Sequence, residues 1–284
     1  MLAGLFVLQL NFELCKIKII YLPLKKSRLL KQIISFFLKN VPRKYLQLFS
    51  HIVLKVVSIF YRGNKVLCPV CESKFRKFLP YGRKARENAL CPNCLSLERH
   101  RLMWLFLKEK TDFFTLQKKV LHIAPEICFI DLFENLHKEN YITADLESPL
   151  AKVKMDIHEM PFEDKSFDVV FCNHVMEHVT DDFKSMGEIY RVLRPGGFAI
   201  IQIPIFNPVP SITIEDSKIT DPKEREKHYG QDDHLRLYGK DYPDRLRSVG
   251  FEVTEDDFVN DLSIEEQIKY ALPRDEVIHF CTKK

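Results

Sequence analysis

Four cysteines carry the most specific chemical spacing in this chain: CPVC at residues 68–71 and, after nineteen intervening residues, CPNC at 91–94. Two such pairs give the two-knuckle arrangement in which tight turns aim paired thiolates at one tetrahedral ion. Cys68, Cys71, Cys91 and Cys94 are therefore expected to hold a structural Zn2+. Four sulfurs close the coordination sphere, so the ion would support a fold too small for its own core and would not bind a reacting water. Four buried free thiols are the alternative, and proline at the same place in both pairs speaks against it. Between the knuckles, Phe75, Arg76, Lys77, Phe78, Tyr81, Arg83, Lys84 and Arg86 mix aromatic with basic side chains. That mixture suits stacking on a nucleic acid, although a solvated basic face over packed aromatics is the commoner arrangement.

An acid and a group of imidazoles form the second set. Asp145 ends the apolar stretch YITAD, about 20 residues past the turn HIAPE, where a carboxylate at a parallel-sheet edge takes the hydroxyl pair of a ribose. HVMEH, from His174 to His178, matches the HxxEH pattern of some zinc peptidases. That chemistry needs a long helix to bring its ligands onto one face. Here the pattern directly follows a strand, and Asp181-Asp182 starts a separate helix.

The elements that must position these residues alternate. Of the 284 residues 46% are hydrophobic, enough for one substantial core and a small satellite. Strands are expected near 119–124, 141–145, 152–155, 168–173, 198–203, 250–255 and 276–281, and helices near 127–138, 182–193 and 240–248. The pattern predicts an α/β, Rossmann-like sheet, mostly parallel with an antiparallel last strand. The link from Asp145 to Lys152 is too short for a crossover helix, so the third strand should be rudimentary. The expected domains are a basic amphipathic helical arm over 1–60, a cysteine module over 61–101 and a catalytic domain over 102–284 with an insertion at 204–238.

Charge is uneven. Residues 1–66 hold 12 Lys or Arg and one acid, Glu13, whereas the remainder holds 31 basic and 38 acidic residues. A general nucleic-acid-binding character is not supported. Residues 25–60 set basic residues among Leu, Ile and Phe at helical spacing, which suits peripheral contact with an anionic membrane or a helix pair docked on the protein itself. The apolar start lacks a basic n-region and ends before about 20 residues, so neither a signal peptide nor a transmembrane span is expected. Cys15, Cys128, Cys172 and Cys281 are scattered, a usage that fits a reducing, cytoplasmic setting.

MPFEDKSFDVVFCNHVMEHV, RVLRPGG and the acid-ended second strand together make the chain resemble the class I S-adenosyl-L-methionine (SAM)-dependent methyltransferases, specifically the type 11 group. HIAPE and GQDDHLRLYG, with CPVC/CPNC, extend the likeness to a subgroup carrying an N-terminal zinc-ribbon-like module. The resemblance implies SAM as donor, Asp145 on the ribose, Asp156 and Ile157 around the adenine, and Asn173 and His174 near the methionine part or the acceptor. One departure matters: the family's first turn is glycine-rich, and here it reads His122-Ile123-Ala124-Pro125-Glu126. His122, Ala124, Pro125 and Glu126 are expected to line the donor site, with Glu126 positioned to accept from the methionine ammonium.

The insertion carries Glu224, Arg225, His228, Arg236 and Tyr238 as candidate acceptor-binding residues on a lid, a surface loop with its own salt bridges being the alternative. Methyl transfer from a sulfonium mainly requires alignment and exclusion of water, and a base only where the acceptor must lose a proton. His174, His178 and His234 are the candidate bases. The expected acceptor is a small molecule, lipid or glycan. An RNA acceptor read by the zinc module and a non-catalytic relative lacking cofactor binding are the alternatives.

Overall fold

The computed structural model describes residues 54–82 and 85–284. Residues 1–24, the expected amphipathic arm up to residue 53, and Arg83 and Lys84 lie outside the described residues. Two compact units are present: one takes the chain up to Arg101 together with Ser263–Leu272, the other Leu102–Leu262 and Pro273–Lys284.

In the first unit, β1 (Arg62–Leu67) pairs antiparallel with β2 (Lys74–Phe75), and β3 (Leu79–Tyr81) with β4 (Arg86–Leu90). Few large side chains are available to bury here, Phe75 and Phe78 chief among them, with ring centroids 5.9 Å apart. Arg101 fills the centre instead. Its guanidinium lies 4.4 Å over the Phe78 ring and donates to the carbonyls of Ala89 (2.9 Å), Ser96 (3.0 Å), Asn88 (3.2 Å), Tyr270 (2.7 Å) and Ala271 (2.6 Å). Burial pulls this guanidinium below its ordinary pKa. The last two carbonyls end a short helix, Ile264–Tyr270, which begins with a capping box between Ser263 and Glu266. Arg101 thus joins a late segment of the chain to the cysteine unit.

The helix α1 (Glu98–Lys110) carries the chain into the second unit. There β5 (Val120–Ile123), α2 (Ile127–His137), β6 (Tyr141–Asp145), β7 (Val153–Lys154), β8 (Phe167–Asn173), α3 (Asp182–Val192) and β9 (Leu193–Gln202) follow in order. After the insertion come α5 (Tyr242–Ser248), β12 (Glu252–Asp256) and β13 (Ile278–Thr282). The sheet order is β12-β13-β9-β8-β5-β6-β7, and only β13 runs antiparallel to its neighbours. The mostly parallel Rossmann-like sheet and its antiparallel final strand agree with the expectation, and β7 is indeed a two-residue strand. Helix α2 packs on β6 through rings: Phe129 and Phe133 stack at 5.0 Å, and Phe133 meets Tyr141 at 5.9 Å and Phe171 of β8 at 5.5 Å.

Two boundaries differ from the expectation. Strand β9 starts at Leu193, five residues early, because Arg194-Pro195-Gly196-Gly197 is a bulge within the strand rather than a turn before it. Pairing jumps from Phe167–Leu193 to Val169–Phe198, Gly196 has φ +77°, and a Cβ on Gly197 would sit 2.7 Å from the Asp168 carbonyl. The insertion is not one open loop. It contains a two-stranded ribbon, β10 (Ile214–Glu215) with β11 (Arg236–Leu237), and between them α4 (Pro222–Tyr229). Asp221 caps α4 by accepting from the Lys223 and Glu224 amides, Pro222 opens it, and Gly230 closes it at φ +84°. Among the described residues no helix is long and apolar enough to cross a membrane.

Candidate active site at the carboxyl edge of the sheet

Strand β5 pairs with β6 on one side and β8 on the other, so the chain direction of winding reverses there and a crevice opens past the strand ends. The first turn leaves β5 through Ala124, which holds φ +51° and donates its amide to the Ala144 carbonyl at 2.9 Å. This left-handed conformation is the one glycine takes without strain. The turn therefore keeps a glycine-type backbone shape with alanine in it. Pro125 and Glu126 then lead into α2, with Glu126 extended at the N-cap.

Glu126 is 7% exposed: its Oε1 accepts from Asn173 Nδ2 at 2.9 Å and its Oε2 makes a short hydrogen bond with His122 Nε2, so each oxygen keeps a further acceptor lone pair. His122 Nδ1 meets the Tyr141 hydroxyl at 2.7 Å. Burial keeps the Tyr141 phenol protonated, raising it well above its ordinary value, so the phenol donates to Nδ1 and Nε2–H donates to Glu126. His122 itself is completely buried. Both its ring nitrogens are engaged, one by Tyr141 and one by Glu126, so it orients Glu126.

Asp145 ends β6 next to this turn, across the register that pairs Ile123 with Ala144. Its Oδ1 accepts from the Glu147 and Ser148 amides at 2.8 and 2.6 Å, which fixes the carboxylate at the strand end. Asp156 lies past β7. Burial pushes its carboxyl up, but the backbone amide of His158 at 2.9 Å and His158 Nδ1 at 2.6 Å outweigh this and hold it below the usual carboxylate range. His158 Nε2 in turn accepts from the Asp181 amide at 3.2 Å. This imidazole clamp was not anticipated from the sequence, where the two-residue spacing of Asp156 and His158 is its only trace. Ile157, beside it, is 8% exposed.

HVMEH forms a turn, not a helix: His174 has φ +56° and donates its amide to the Gln202 carbonyl at 2.7 Å. The zinc-peptidase arrangement is thereby excluded. Glu177 is buried, with Oε1 3.6 Å from His174 Nδ1 and 3.7 Å from His178 Nε2. His234, from the insertion, sets its ring 4.7 Å from that of His178 at 86°. Burial, then the His234 ring, pushes His178 well below its ordinary pKa.

The insertion is fastened to this turn. Leu235 donates its amide to the Glu177 carbonyl at 2.8 Å, and Arg236 donates to the Met176 and Val179 carbonyls at 2.7 and 2.6 Å and to Glu215 at 2.9 Å. The Tyr238 hydroxyl donates to Asp182 at 2.8 Å. Arg236 and Tyr238, expected on the acceptor side, are each 4% exposed, and their polar atoms hold the insertion in place. Glu224, Arg225 and His228 sit on α4, where Glu224 lies 3.5 Å from His228 Nε2 and Arg225 donates to the Ile219 carbonyl at 3.1 Å.

In the other unit the four knuckle cysteines converge. Cys68 and Cys94 sulfurs are 3.6 Å apart, Cys71 and Cys91 sulfurs 3.7 Å, and all four lie within 4.8 Å of one another. Sulfurs at ~2.3 Å from a tetrahedral ion would be about 3.8 Å apart, so this set fits such an ion and is far too open for disulfides.

Residues 115–201 match the family described as "Methyltransferase domain". The chain is 32% identical over 127 residues to the sterol 24-C-methyltransferase of Schizosaccharomyces pombe, a match covering 43% of this chain and 32% of that one. It is 36% identical over 85 residues to the demethylmenaquinone methyltransferase of Staphylococcus aureus, covering 29% and 34%. The chain thus spans about a third of the length of each of these relatives. A solved S-adenosylmethionine-dependent methyltransferase from Mesorhizobium loti is similar at 12% identity and a TM-score of 0.44, over 63% of this chain and 97% of that one. Residues 115–201 are thus similar to a methyltransferase domain, on a sheet whose order and acid-ended β6 are already in place.

Proposed function

We propose that the chain transfers a methyl group from SAM to a small-molecule or lipid acceptor. The observation that carries this reading is the carboxyl edge itself, where Asp145 ends β6 beside a left-handed Ala124 turn and a Glu126–Asn173 pair. SAM supplies an electrophilic methyl on a sulfonium, with a neutral thioether as leaving group. Asp145 takes the ribose hydroxyls, Asp156 and Ile157 flank the adenine, and Glu126, held by His122 and Asn173, accepts from the methionine ammonium. A carboxylate at that turn is tolerable because the ligand there is cationic and has no pyrophosphate. Catalysis then rests on alignment and on water exclusion by the fastened insertion.

Where the acceptor must lose a proton, His174 is the base, since its side chain is 23% exposed against 12% for His178, and His234 is fully buried. Glu224, Arg225 and His228 on α4 are the acceptor-side residues. Relatives described for a sterol and for a demethylmenaquinone support an apolar, lipid-like acceptor, and a glycan remains within the same small-molecule reading. The cysteine unit holds a structural Zn2+, supported by its sulfur spacing. Peripheral membrane contact through residues 25–60 in a cytoplasmic setting would suit a lipid acceptor. Incubating the protein with methyl-labelled SAM and a fractionated extract tests the reading: label is expected in the small-molecule or lipid fraction. Label in RNA alone, or none at all, overturns it.

A further inference from the structure

Glu177, His178 and His234 place their donor atoms within 4.8 Å of one another, with Glu177 and His234 buried and His178 partly exposed, a grouping that the methyl-transfer reading does not require. We propose that these three residues form a second metal site, for a divalent transition ion of the zinc class held by two imidazole nitrogens and one carboxylate. Two imidazoles and a carboxylate are a common ligand set for such an ion, with at least one position left for water or an acceptor oxygen. Donors at ~2.1 Å from a tetrahedral ion stand about 3.4 Å apart, close to the 3.7 Å between Glu177 Oε1 and His178 Nε2.

Both imidazoles are already oriented for coordination. His234 Nδ1 lies 3.0 Å from the Tyr229 carbonyl, and His178 Nδ1 lies 3.3 Å from the Asp233 carbonyl and 3.4 Å from its carboxylate. Each ring therefore carries its proton on Nδ1 and presents the Nε2 lone pair, the tautomer that metal-binding histidines acquire from such outer contacts. Glu177 and His178 come from the turn after β8 and His234 from the insertion, so the ion would clip the insertion to the sheet edge. In this assignment His178 and His234 are ligands, and His174 alone remains as a base.

Metal content of the full chain, measured after equilibration with Zn2+, tests the proposal without SAM, so its outcome is independent of whether methyl transfer occurs. Two equivalents are expected for the wild type and one for His234→Asn. Because a buried histidine variant can fail to fold, the wild type is also titrated with Co2+ after the cysteine site is filled with Zn2+. Weak visible bands from a nitrogen and oxygen ligand set, saturating at one equivalent, are expected. A single zinc equivalent in the wild type with no visible band on Co2+ addition, or two equivalents retained by a folded His234→Asn protein, overturns the proposal.

Discussion

The two donor clusters differ in what surrounds them. Cys68, Cys71, Cys91 and Cys94 sit on the turns that follow β1 and β4, beside a small core completed by a buried arginine, whereas Glu177, His178 and His234 sit on a turn and an insertion already fastened by Arg236, Tyr238 and Leu235. An ion in the first cluster builds the fold around it; an ion in the second enters a site that exists without it. Metal removal should therefore act on structure in one unit and on ligand binding in the other.

The largest effect should come from Cys91→Ser or a strong chelator. A four-cysteine zinc site contributes on the order of 10 kcal/mol to folding. Hydrogen exchange should show lost protection over β1–β4 and residues 263–272 while β5, β8 and β9 keep theirs. Equal protection in all strands would erase the contrast. Arg101→Ala comes next, since it leaves a cavity and removes a donor from five carbonyls, of which Ser96 keeps the Cys91 amide. We expect about 3–5 kcal/mol from a denaturant midpoint that follows the cysteine unit, with little recovery by Arg101→Lys because an ammonium cannot reproduce the planar fork.

Acid separates the units in the opposite sense. Burial pushes His279 of β13 down to about 4, so the native sheet excludes a proton that the unfolded chain accepts below about 6.5. Its stabilising contribution is complete above pH 6.5 and falls by about 3 kcal/mol as pH drops toward 4. His279→Gln should flatten that part of the pH profile measured by chemical denaturation. The smallest effect belongs to Ala124→Gly. Relief of the left-handed alanine, offset by glycine's chain entropy, should stabilise by about 0.5–1 kcal/mol in a thermal melt.

The same contrast explains what was legible in the sequence. Two CxxC pairs declare themselves because each pair is local, and strands β5, β6, β8 and β13 declare themselves through continuous apolar runs bounded by turn residues. Asp145 was legible because it ends such a run. The second cluster was not, because 56 residues separate His178 from His234 and only the fastening of the insertion by Arg236 brings them together. Arg101 was hidden for a related reason: an arginine in a helix reads as solvated unless its carbonyl partners, drawn here from residues 88–96 and 270–271, are known. The helix over 264–270 had a readable signal in Ser263-Ile264-Glu265-Glu266, a capping box in a stretch otherwise taken as connection. The surroundings of His122 were hidden as well: a histidine in a strand-to-turn motif looks available, whereas Tyr141 and Glu126 engage both its nitrogens.

Isothermal calorimetry of SAM with the wild type and with Asp145→Asn tests the donor pocket most directly. Loss of a charge-assisted pair of hydrogen bonds should weaken binding about tenfold to a hundredfold while the variant keeps its fold. No binding heat for the wild type, or equal affinity in both proteins, would contradict the assignment of this edge as the donor site.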